Sequence, residues 1–136
     1  MIGIVLISHG DFAEGLLDAA KMITGEVEQI ACIGLQPQDD IDQLVERIQE
    51  AVNQVDDEKG VLLMVDLFGA SPFNASGRLV LAQQDHLELI TGMNLPMLVE
   101  ILVAREGLDL ESASQMALNA GKSGVSRLSD KINRKN

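Results

Sequence analysis

The stretch VLLMVDLFGASP, residues 61–72, contains the transition that decides the fold. Val61–Val65 is a continuous apolar run, which is typical of a strand buried on both faces of a sheet. The run stops at Asp66, and Ser71 before Pro72 predicts a helix start, with Ser71 as N-cap and Pro72 in the first helical position. The stretch therefore predicts a strand, a short polar loop and a helix in direct succession.

The same succession of strand and helix continues in both directions along the chain. Ile2–Ser8 predicts a first strand, and a helix follows it, with Asp11 and Glu14 as a capping-box-like pair at its start and Gly25 at its end. The other predicted elements are strands over Glu28–Leu35 and His86–Thr91 and helices over Asp39–Val55, from Ser71 to about Gln83 and from the Gly92–Pro96 loop to about Arg105. We therefore expect one α/β domain over residues 1–136, with a doubly wound, mainly parallel sheet.

The C-terminal part of the chain gives a weaker pattern. Asp109 is predicted to cap a last long helix, which Gly121 and Gly124 interrupt. Periodicity does not decide whether Val125–Ile132 forms more helix or an edge strand.

The composition limits the class of protein. The chain has 136 residues, of which 46% are apolar, and this is enough to bury the core of one domain. The single cysteine, Cys32, excludes an intramolecular disulfide, and we interpret it as a small buried hydrophobe. The first residues read as a strand and not as a signal peptide, and no apolar run approaches the ~20 residues of a membrane span. We therefore expect a cytoplasmic protein.

The charge is distributed unevenly. The formal net charge is −11, with −15 in the first 121 residues and +4 in the last 15. An acidic body repels phosphate backbones, so we expect no nucleic-acid partner. Aromatic residues are 2% of the chain and all are Phe, which leaves few platforms for stacking bases or sugar rings.

Polar residues follow the predicted strands at the edge where open parallel sheets place their sites. His9 follows the first strand and Asp66 follows the third. If these strands are neighbours, Asp66 lies beside His9, holds the proton on one imidazole nitrogen and leaves the other as a nucleophile. Ser71 adds a hydroxyl at a helix N-terminus, where backbone N–H groups attract phosphate. Together these three residues predict a phosphohistidine site.

Each of these residues also has an ordinary structural interpretation. A histidine at a strand end is often a polar residue leaving the core, Asp66 can cap the following loop, and Ser71 can be an N-cap alone. His86 is predicted at the opposite end of the sheet, so the two histidines cannot share a metal ion. Phosphate-loop, dinucleotide-binding and hydrolase-elbow motifs do not occur. We expect neither a metal nor a cofactor.

Three segments carry a resemblance to a known family. They are Ser8-His9-Gly10, VDLFGASPFNA at residues 65–75 and GMNLPML at residues 92–98. In order and spacing they resemble the enzyme IIA domains of the mannose family of the bacterial phosphoenolpyruvate-dependent sugar phosphotransferase system. The resemblance covers nearly the whole chain.

The resemblance implies roles for the site residues. His9 matches the histidine phosphorylated on Nε2, Asp66 the acid bonded to the other ring nitrogen, and Ser71 a hydroxyl near the phosphoryl group. We expect four further residues to surround the phosphoryl group or to contact a partner protein: Gly10, Phe68, Gly69 and Asn94. Gly10 leaves room for an approaching partner, and Phe68 offers it an apolar contact.

The resemblance also implies an activity and partners. The chain is expected to be a phosphotransferase component with a phosphohistidine intermediate, taking phosphate from the phosphocarrier HPr and passing it to a IIB component. IIB is expected to be a separate polypeptide, because the chain ends at Asn136, and it phosphorylates a mannose-family sugar that arrives through the membrane components IIC and IID. Two alternatives are a phosphoryl donor to a dihydroxyacetone kinase and a module phosphorylated only for regulation. The sequence does not specify the sugar.

The resemblance implies a sheet of order 2-1-3-4 and a homodimer. In that family a C-terminal strand is exchanged between subunits, and here it is expected somewhere within Gly121–Ile132.

Overall fold

Four parallel strands form one sheet in the computed structural model, which describes residues 1–132 of the chain. The strands are β1 (Gly3–His9), β2 (Ile30–Leu35), β3 (Val61–Val65) and β4 (Leu87–Thr91). Their order is β2-β1-β3-β4, and each neighbouring pair is parallel. The predicted α/β class and the order 2-1-3-4 are confirmed. Because the chain leaves β1 toward β2 on one side and returns to β3 on the other, the strand order reverses between β1 and β3.

Helices cover both faces of the sheet. In the described chain they are α1 (Phe12–Thr24), α2 (Ile41–Val55), α3 (Ser71–Ala82), α4 (Leu95–Ala104), α5 (Leu110–Ser123) and α6 (Leu128–Ile132). One face packs against α1, α4 and α5, and the other packs against α2 and α3. None of the helices in residues 1–132 combines the length and the apolar character that crossing a membrane requires.

Alternate residues of the central strands belong to two separate cores. Ile4 and Leu6 of β1 pack into the cluster under α1 and α4, whereas Val5 and Ile7 pack into the cluster under α2. All four side chains are fully buried. Each contributes about 1.5–3 kcal/mol to folding relative to an exposed side chain. This double burial explains why the sequence of β1 is continuously apolar and does not alternate.

Hydrogen bonds close several helix ends, and those at Gly25 and Asp109 lie where the sequence predicts them. The Asp40 carboxylate accepts the Asp42 N–H at the start of α2, and the Gly25 N–H closes the end of α1 on the Lys21 carbonyl. The Asp109 carboxylate accepts the Ser112 N–H at 2.8 Å at the start of α5. This bond holds the pKa of Asp109 below its ordinary value, because it stabilises the charged form.

Arg105, which directly follows α4, is a buried cation whose structural role no sequence pattern indicated. Its side chain is only 2% exposed, and its guanidinium donates to the carbonyls of Ile2, Glu28 and Gln29. Burial lowers the pKa of Arg105, because the charged form loses solvation. The arginine thus ties the end of α4 to the chain at the starts of β1 and β2.

The C-terminal segment differs from two expectations. Gly121 does not interrupt α5 but lies within it, where a Cβ atom would stand 2.6 Å from the Cε atom of Met97, so the glycine permits close packing against α4. Gly124 ends α5 as predicted. The segment expected to contain an exchanged strand has no strand in the single described chain: its first residues end α5, and Leu128–Ile132 form the short helix α6. A strand needs a neighbouring strand to pair with, and within residues 1–132 the sheet consists of β2, β1, β3 and β4. The expected exchange of a strand between two subunits stays a prediction.

Candidate active site

His9 is the last residue of β1 and lies where the strand order reverses. Its side chain is 51% exposed, although the six residues before it are buried. Nδ1 of its ring lies 2.9 Å from Oδ2 of Asp66, the residue that directly follows β3. The same oxygen accepts the backbone N–H of His9, also at 2.9 Å. The predicted side-by-side placement of His9 and Asp66 is therefore confirmed.

This arrangement determines which ring nitrogen of His9 is free. As a carboxylate, Asp66 can only accept hydrogen bonds, so the proton lies on Nδ1 of His9. Nε2 then carries a lone pair, and among residues 1–132 it has no hydrogen-bond partner. The other carboxylate oxygen, Oδ1 of Asp66, is buried and also lacks a partner within that range. The site thus presents one oriented nucleophilic nitrogen at the surface.

The side chain of Ser8 stabilises the turn that follows His9 by a buried hydrogen bond. The Oγ atom of Ser8 is buried and accepts the Ala13 N–H at 2.8 Å, so Ser8 caps the first turn of α1 from the end of the strand. Asp11 stands at the N-cap position but its side chain makes no capping bond, and the predicted capping box is wrong. The carboxylate of Asp11 instead accepts the Gln36 side-chain amide at 3.4 Å. Gly10 adopts a φ of +53°, which most other residues avoid.

Ser71 lies at the same edge of the sheet, in the first turn of α3. The N-cap residue is Ala70 and not Ser71, so the helix starts one residue earlier than predicted. A short loop through Gly69, with a φ of +84°, leaves Ala70 extended, and the helical conformation begins directly after it. No side chain caps this helix, so its first N–H groups and the Ser71 hydroxyl are available at this edge.

Phe68 projects from the loop between β3 and α3. Its side chain is 72% exposed, and its ring contacts the ring of Phe73 with a centroid distance of 4.6 Å. Leu67 is exposed beside it. These two large apolar side chains directly follow Asp66 in the chain and form a surface that a partner protein could cover.

Asn94 is engaged in the fold. Its Oδ1 accepts the Met97 N–H at 3.0 Å and caps α4, and its Nδ2 donates to the Gly121 carbonyl of α5 at 3.1 Å. The structure therefore gives Asn94 a structural role as a cap. Its predicted place in the phosphoryl surroundings stays a prediction.

The rim beyond β2 carries acidic residues that no sequence pattern had assigned to the site. Asp39 accepts the Gln36 backbone N–H at 2.8 Å and pairs with Arg47 at 3.3 Å, and Asp42 pairs with Arg78 at 3.1 Å. These acidic groups precede or begin α2, which starts at the same sheet edge as His9. The only sequence signal for this placement is that β2 ends just before them.

The site is an open surface and not an enclosed cavity. A groove of about 680 Å³ lies between α4 and α5 and another of about 460 Å³ lies beside Phe68 and Phe73, and His9 lines neither. His86 lies at the other end of the sheet, where its Nε2 contacts Asp56 at 2.7 Å, as expected for a structural histidine. Within residues 1–132 no group of three or more His, Cys, Asp or Glu side chains is placed to hold a metal ion.

Comparison with known proteins agrees with the fold and shows the family. A family model, EIIA-man, described as "PTS system fructose IIA component", matches residues 3–118. The chain therefore belongs to the EIIA-man family, the IIA components of the mannose and fructose type of the sugar phosphotransferase system (PTS). IIA components of this family are phosphotransferase components, and the suspected family membership is confirmed.

Two relatives illustrate the similarity. The PTS mannose-specific EIIAB component of Escherichia coli strain K12 is 40% identical over 131 residues, which are 96% of this chain and 40% of that protein. The PTS fructose-specific EIIA component of Bacillus subtilis strain 168 is 33% identical over 111 residues, 82% of this chain and 75% of that protein. The chain thus spans well under half the length of the E. coli relative.

Solved structures share the fold. The phosphotransferase system component EIIA from Streptococcus agalactiae superposes with a TM-score of 0.88 at 26% identity, covering 96% of this chain and 99% of that chain. A PTS IIA protein associated with the fucose utilization operon of Streptococcus pneumoniae gives a TM-score of 0.83 at 30% identity, with 96% of each chain covered.

Proposed function

We propose that this protein is a phosphoryl carrier of a sugar phosphotransferase system that accepts phosphate from HPr on Nε2 of His9 and passes it to a IIB component. One observation carries the proposal: Asp66 binds Nδ1 of His9 and leaves Nε2 free on a half-exposed ring. A relay needs a nucleophile that two proteins can reach in turn. The open surface around His9 is suited to that requirement.

In the proposed transfer only His9 of this protein forms and breaks covalent bonds. The Nε2 lone pair of His9 attacks the phosphorus of phosphohistidine on HPr, the phosphorus–nitrogen bond to HPr breaks, and its electron pair returns to the HPr ring. The proton on Nδ1 of His9 stays in place, and the Asp66 carboxylate stabilises the positive charge that develops on the phosphorylated ring. Transfer to IIB repeats these steps with His9 as the leaving group. Rate then depends on in-line geometry and charge stabilisation.

We expect the start of α3 to stabilise the phosphoryl oxygens, because it lies at the same edge of the sheet as His9. Its uncapped N–H groups carry the positive end of the helix dipole, and this end attracts phosphate. The Ser71 hydroxyl adds a donor in the same turn. Gly10 and Gly69 leave space around His9, since neither carries a side chain.

The client of the relay is proposed from the relatives. Those described above are named for mannose and fructose, and one from Lacticaseibacillus casei is named for sorbose. These names favour a sugar-transport partner, a IIB component working with membrane components IIC and IID, over a dihydroxyacetone kinase or a purely regulatory client. The sugar and the expected separate IIB polypeptide stay predictions. We expect the relay to operate in the cytoplasm.

A homodimer is proposed on separate grounds. The outer edge of β4 has no neighbouring strand among residues 1–132, and the apolar side chains of Val125, Leu128 and Ile132 are exposed on the same chain. If the C-terminal segment of a partner subunit pairs with this edge, it covers the open edge of β4 and buries the exposed apolar side chains. Sedimentation should give a dimer, and deletion of residues 125–136 should give a monomer. A monomeric full-length chain at micromolar concentration would contradict this part of the proposal.

The central experiment is intact-mass spectrometry after incubation with phosphoenolpyruvate, enzyme I and HPr. Wild type should gain one acid-labile phosphoryl group, and His9→Ala should gain none. His86→Ala is the matched control, because His86 pairs with Asp56 at the opposite end of the sheet, and it should be phosphorylated like wild type. A phosphorylated His9→Ala protein, or a folded wild type that gains no phosphate, would refute the proposal.

A further inference from the structure

A glycine on the neighbouring strand lies directly beneath the turn that follows His9. In the sheet register Ser8 is opposite Gly34 and His9 is opposite Leu35, and the Gly10 N–H extends this pairing by donating to the Leu35 carbonyl at 2.8 Å. The carbonyl of Gly10 lies against the backbone of Gly34. A Cβ atom at position 34 would lie 2.1 Å from the oxygen of that carbonyl.

The side chains on this face of β2 become smaller toward the site. Ile30 and Cys32 pack against the core under α1, and Sγ of Cys32 lies 3.6 Å from the Ala13 carbonyl in the first turn of that helix. Gly34 is the next residue on the same face, since side chains alternate along a strand. The backbone of Gly10, which leads into α1, lies against β2 at Gly34, and it fits there only because Gly34 has no side chain.

The same carbonyl is bounded on its other side by Ser8. The Ser8 hydroxyl donates to the Gly10 carbonyl at 3.5 Å while it accepts the Ala13 N–H at 2.8 Å. Gly10 is thus held at both of its backbone groups: Leu35 accepts its N–H, and Ser8 and Gly34 lie on either side of its carbonyl. None of these contacts touches the imidazole ring, but together they determine where the backbone of His9 leaves the strand.

We propose that Gly34 is a positioning residue for His9: its missing side chain lets the Gly10 carbonyl lie against β2 and thereby sets the angle at which the His9 ring meets Asp66. This inference rests on the proposed function for its effect on transfer, but its effect on the ring does not depend on any partner. Real Cβ atoms essentially never approach another heavy atom closer than 3.0 Å. A methyl group at position 34 therefore displaces the Gly10 peptide by about 1 Å, a misplacement that can slow a positioned reaction by up to about 100-fold.

The test compares Gly34→Ala with two other glycine variants. Gly3→Ala creates a similar clash, 2.4 Å from the Val55 carbonyl, at the opposite end of β1, whereas a Cβ atom at Gly15 in α1 meets nothing within 4 Å. Two quantities are measured for each folded variant: the ¹⁵N chemical shifts of the His9 ring without any phosphoryl donor, and the rate of phosphorylation by phospho-HPr. Unfolding by urea gives the folded fraction used to correct both.

The expected result is specific to Gly34→Ala. Its His9 ring nitrogens should shift toward the tautomer mixture of a free imidazole, and its corrected rate should fall by about 10- to 100-fold. Gly3→Ala should lose stability but keep the wild-type ring shifts and phosphorylation rate. Gly15→Ala should keep the wild-type stability, ring shifts and rate. Wild-type ring shifts and rate in folded Gly34→Ala would overturn the proposal, as would equal losses in Gly3→Ala.

A second variant keeps the test decisive if Gly34→Ala does not fold. Ser8→Ala loosens the same turn from its other side without adding volume, and it should show the same direction of change in the His9 ring shifts and a slower transfer. Unchanged ring shifts in Ser8→Ala would then overturn the proposal. If wild type accepts no phosphate at all, the proposed function fails, while the ring shifts still report on the role of Gly34.

Discussion

Asp66 holds His9 at two points through a single oxygen, one on the backbone and one on the ring. Asp66→Ala removes both bonds, so the ring samples both tautomers and more orientations. We expect phosphoryl transfer to slow by roughly 100-fold. Stability should change by less than about 1.5 kcal/mol, because the His9 N–H is exposed to water and the variant also removes the unpartnered Oδ1.

Stopped-flow or quench-flow phosphorylation and urea unfolding measure these two effects of Asp66→Ala separately. If Asp66 orients the His9 ring, Asp66→Ala should be folded but should transfer phosphate slowly. A transfer rate equal to wild type would show that Asp66 does not orient the His9 ring.

Cys32 illustrates how burial alters the chemistry of one residue. Desolvation, with a smaller contribution from Glu14, raises the pKa of the thiol from 9.0 to about 11. The thiolate, which is the reactive form, is therefore about 100-fold less abundant at pH 8 than in an unfolded chain. Iodoacetamide should label the native protein at least that much more slowly than the urea-unfolded protein, as measured by mass spectrometry. Equal rates in the two states would contradict the burial argument.

The raised pKa of Cys32 also predicts a pH dependence of stability. The unfolded thiol ionises near pH 9.0 and the folded thiol only near pH 11, so the unfolded state gains stability as the pH rises through this window. Native stability should fall between those two pH values. Cys32→Ser, whose hydroxyl does not ionise there, is the control and should lack this component of the fall.

Helices and strands are connected through contacts at their ends as much as through their faces. Arg105 follows α4 and satisfies three carbonyls near the starts of β1 and β2. Arg105→Ala removes the guanidinium donor from all three carbonyls, of which, within residues 1–132, only that of Gln29 keeps a second donor, the Ile4 N–H. We expect a loss of roughly 3 kcal/mol in the free energy of unfolding. Urea unfolding measures it.

Arg78→Ala is the matched control for Arg105. Arg78 pairs with Asp42 at the surface of α3, and an exposed pair of this kind contributes at most about 1 kcal/mol. If the two variants lose similar stability, then the buried guanidinium does not join α4 to the sheet in the way its contacts indicate.

Helix starts show how far an element can be predicted from its own residues. The caps at Asp40 and Asp109 were predictable because the capping side chain and the bonded N–H are two or three residues apart. The start of α1 was not, because its cap is Ser8, five residues before Ala13 and inside the strand. The capping-box pattern at Asp11 was locally plausible but the tertiary contact with Gln36 engaged that carboxylate instead.

The charge of the whole molecule bears on how a partner finds the site. The first 121 residues carry a net charge of −15, and acidic groups before and within α2 lie at the edge of the sheet where His9 stands. A donor with a basic face is therefore attracted over distance, and salt screens this attraction. The second-order rate of transfer from phospho-HPr should fall by roughly tenfold between low salt and 0.5 M NaCl.

Two neutralising variants test this steering at the level of single charges. Asp40→Asn removes a charge near the site and keeps a good N-cap for α2, so it should lower the rate at low salt only. Asp85→Asn removes a charge at the opposite edge, before β4, and should have a smaller effect. A transfer rate that does not depend on ionic strength would rule out steering by the acidic body.

The sequence by itself determined the four strands and the helices as far as α5, the parallel sheet and the pair of residues at its switch point. Apolar runs, helical periodicity and short-range caps are local properties, and residues 61–72 display the strand-to-helix step within one stretch. The tertiary structure alone decided which contacts join distant segments: Ser8 at the start of α1, Gly34 beneath Gly10, and Arg105 at the starts of two strands. The reason is physical, since such contacts depend on the spatial approach of residues far apart in the chain, and no periodicity records that approach.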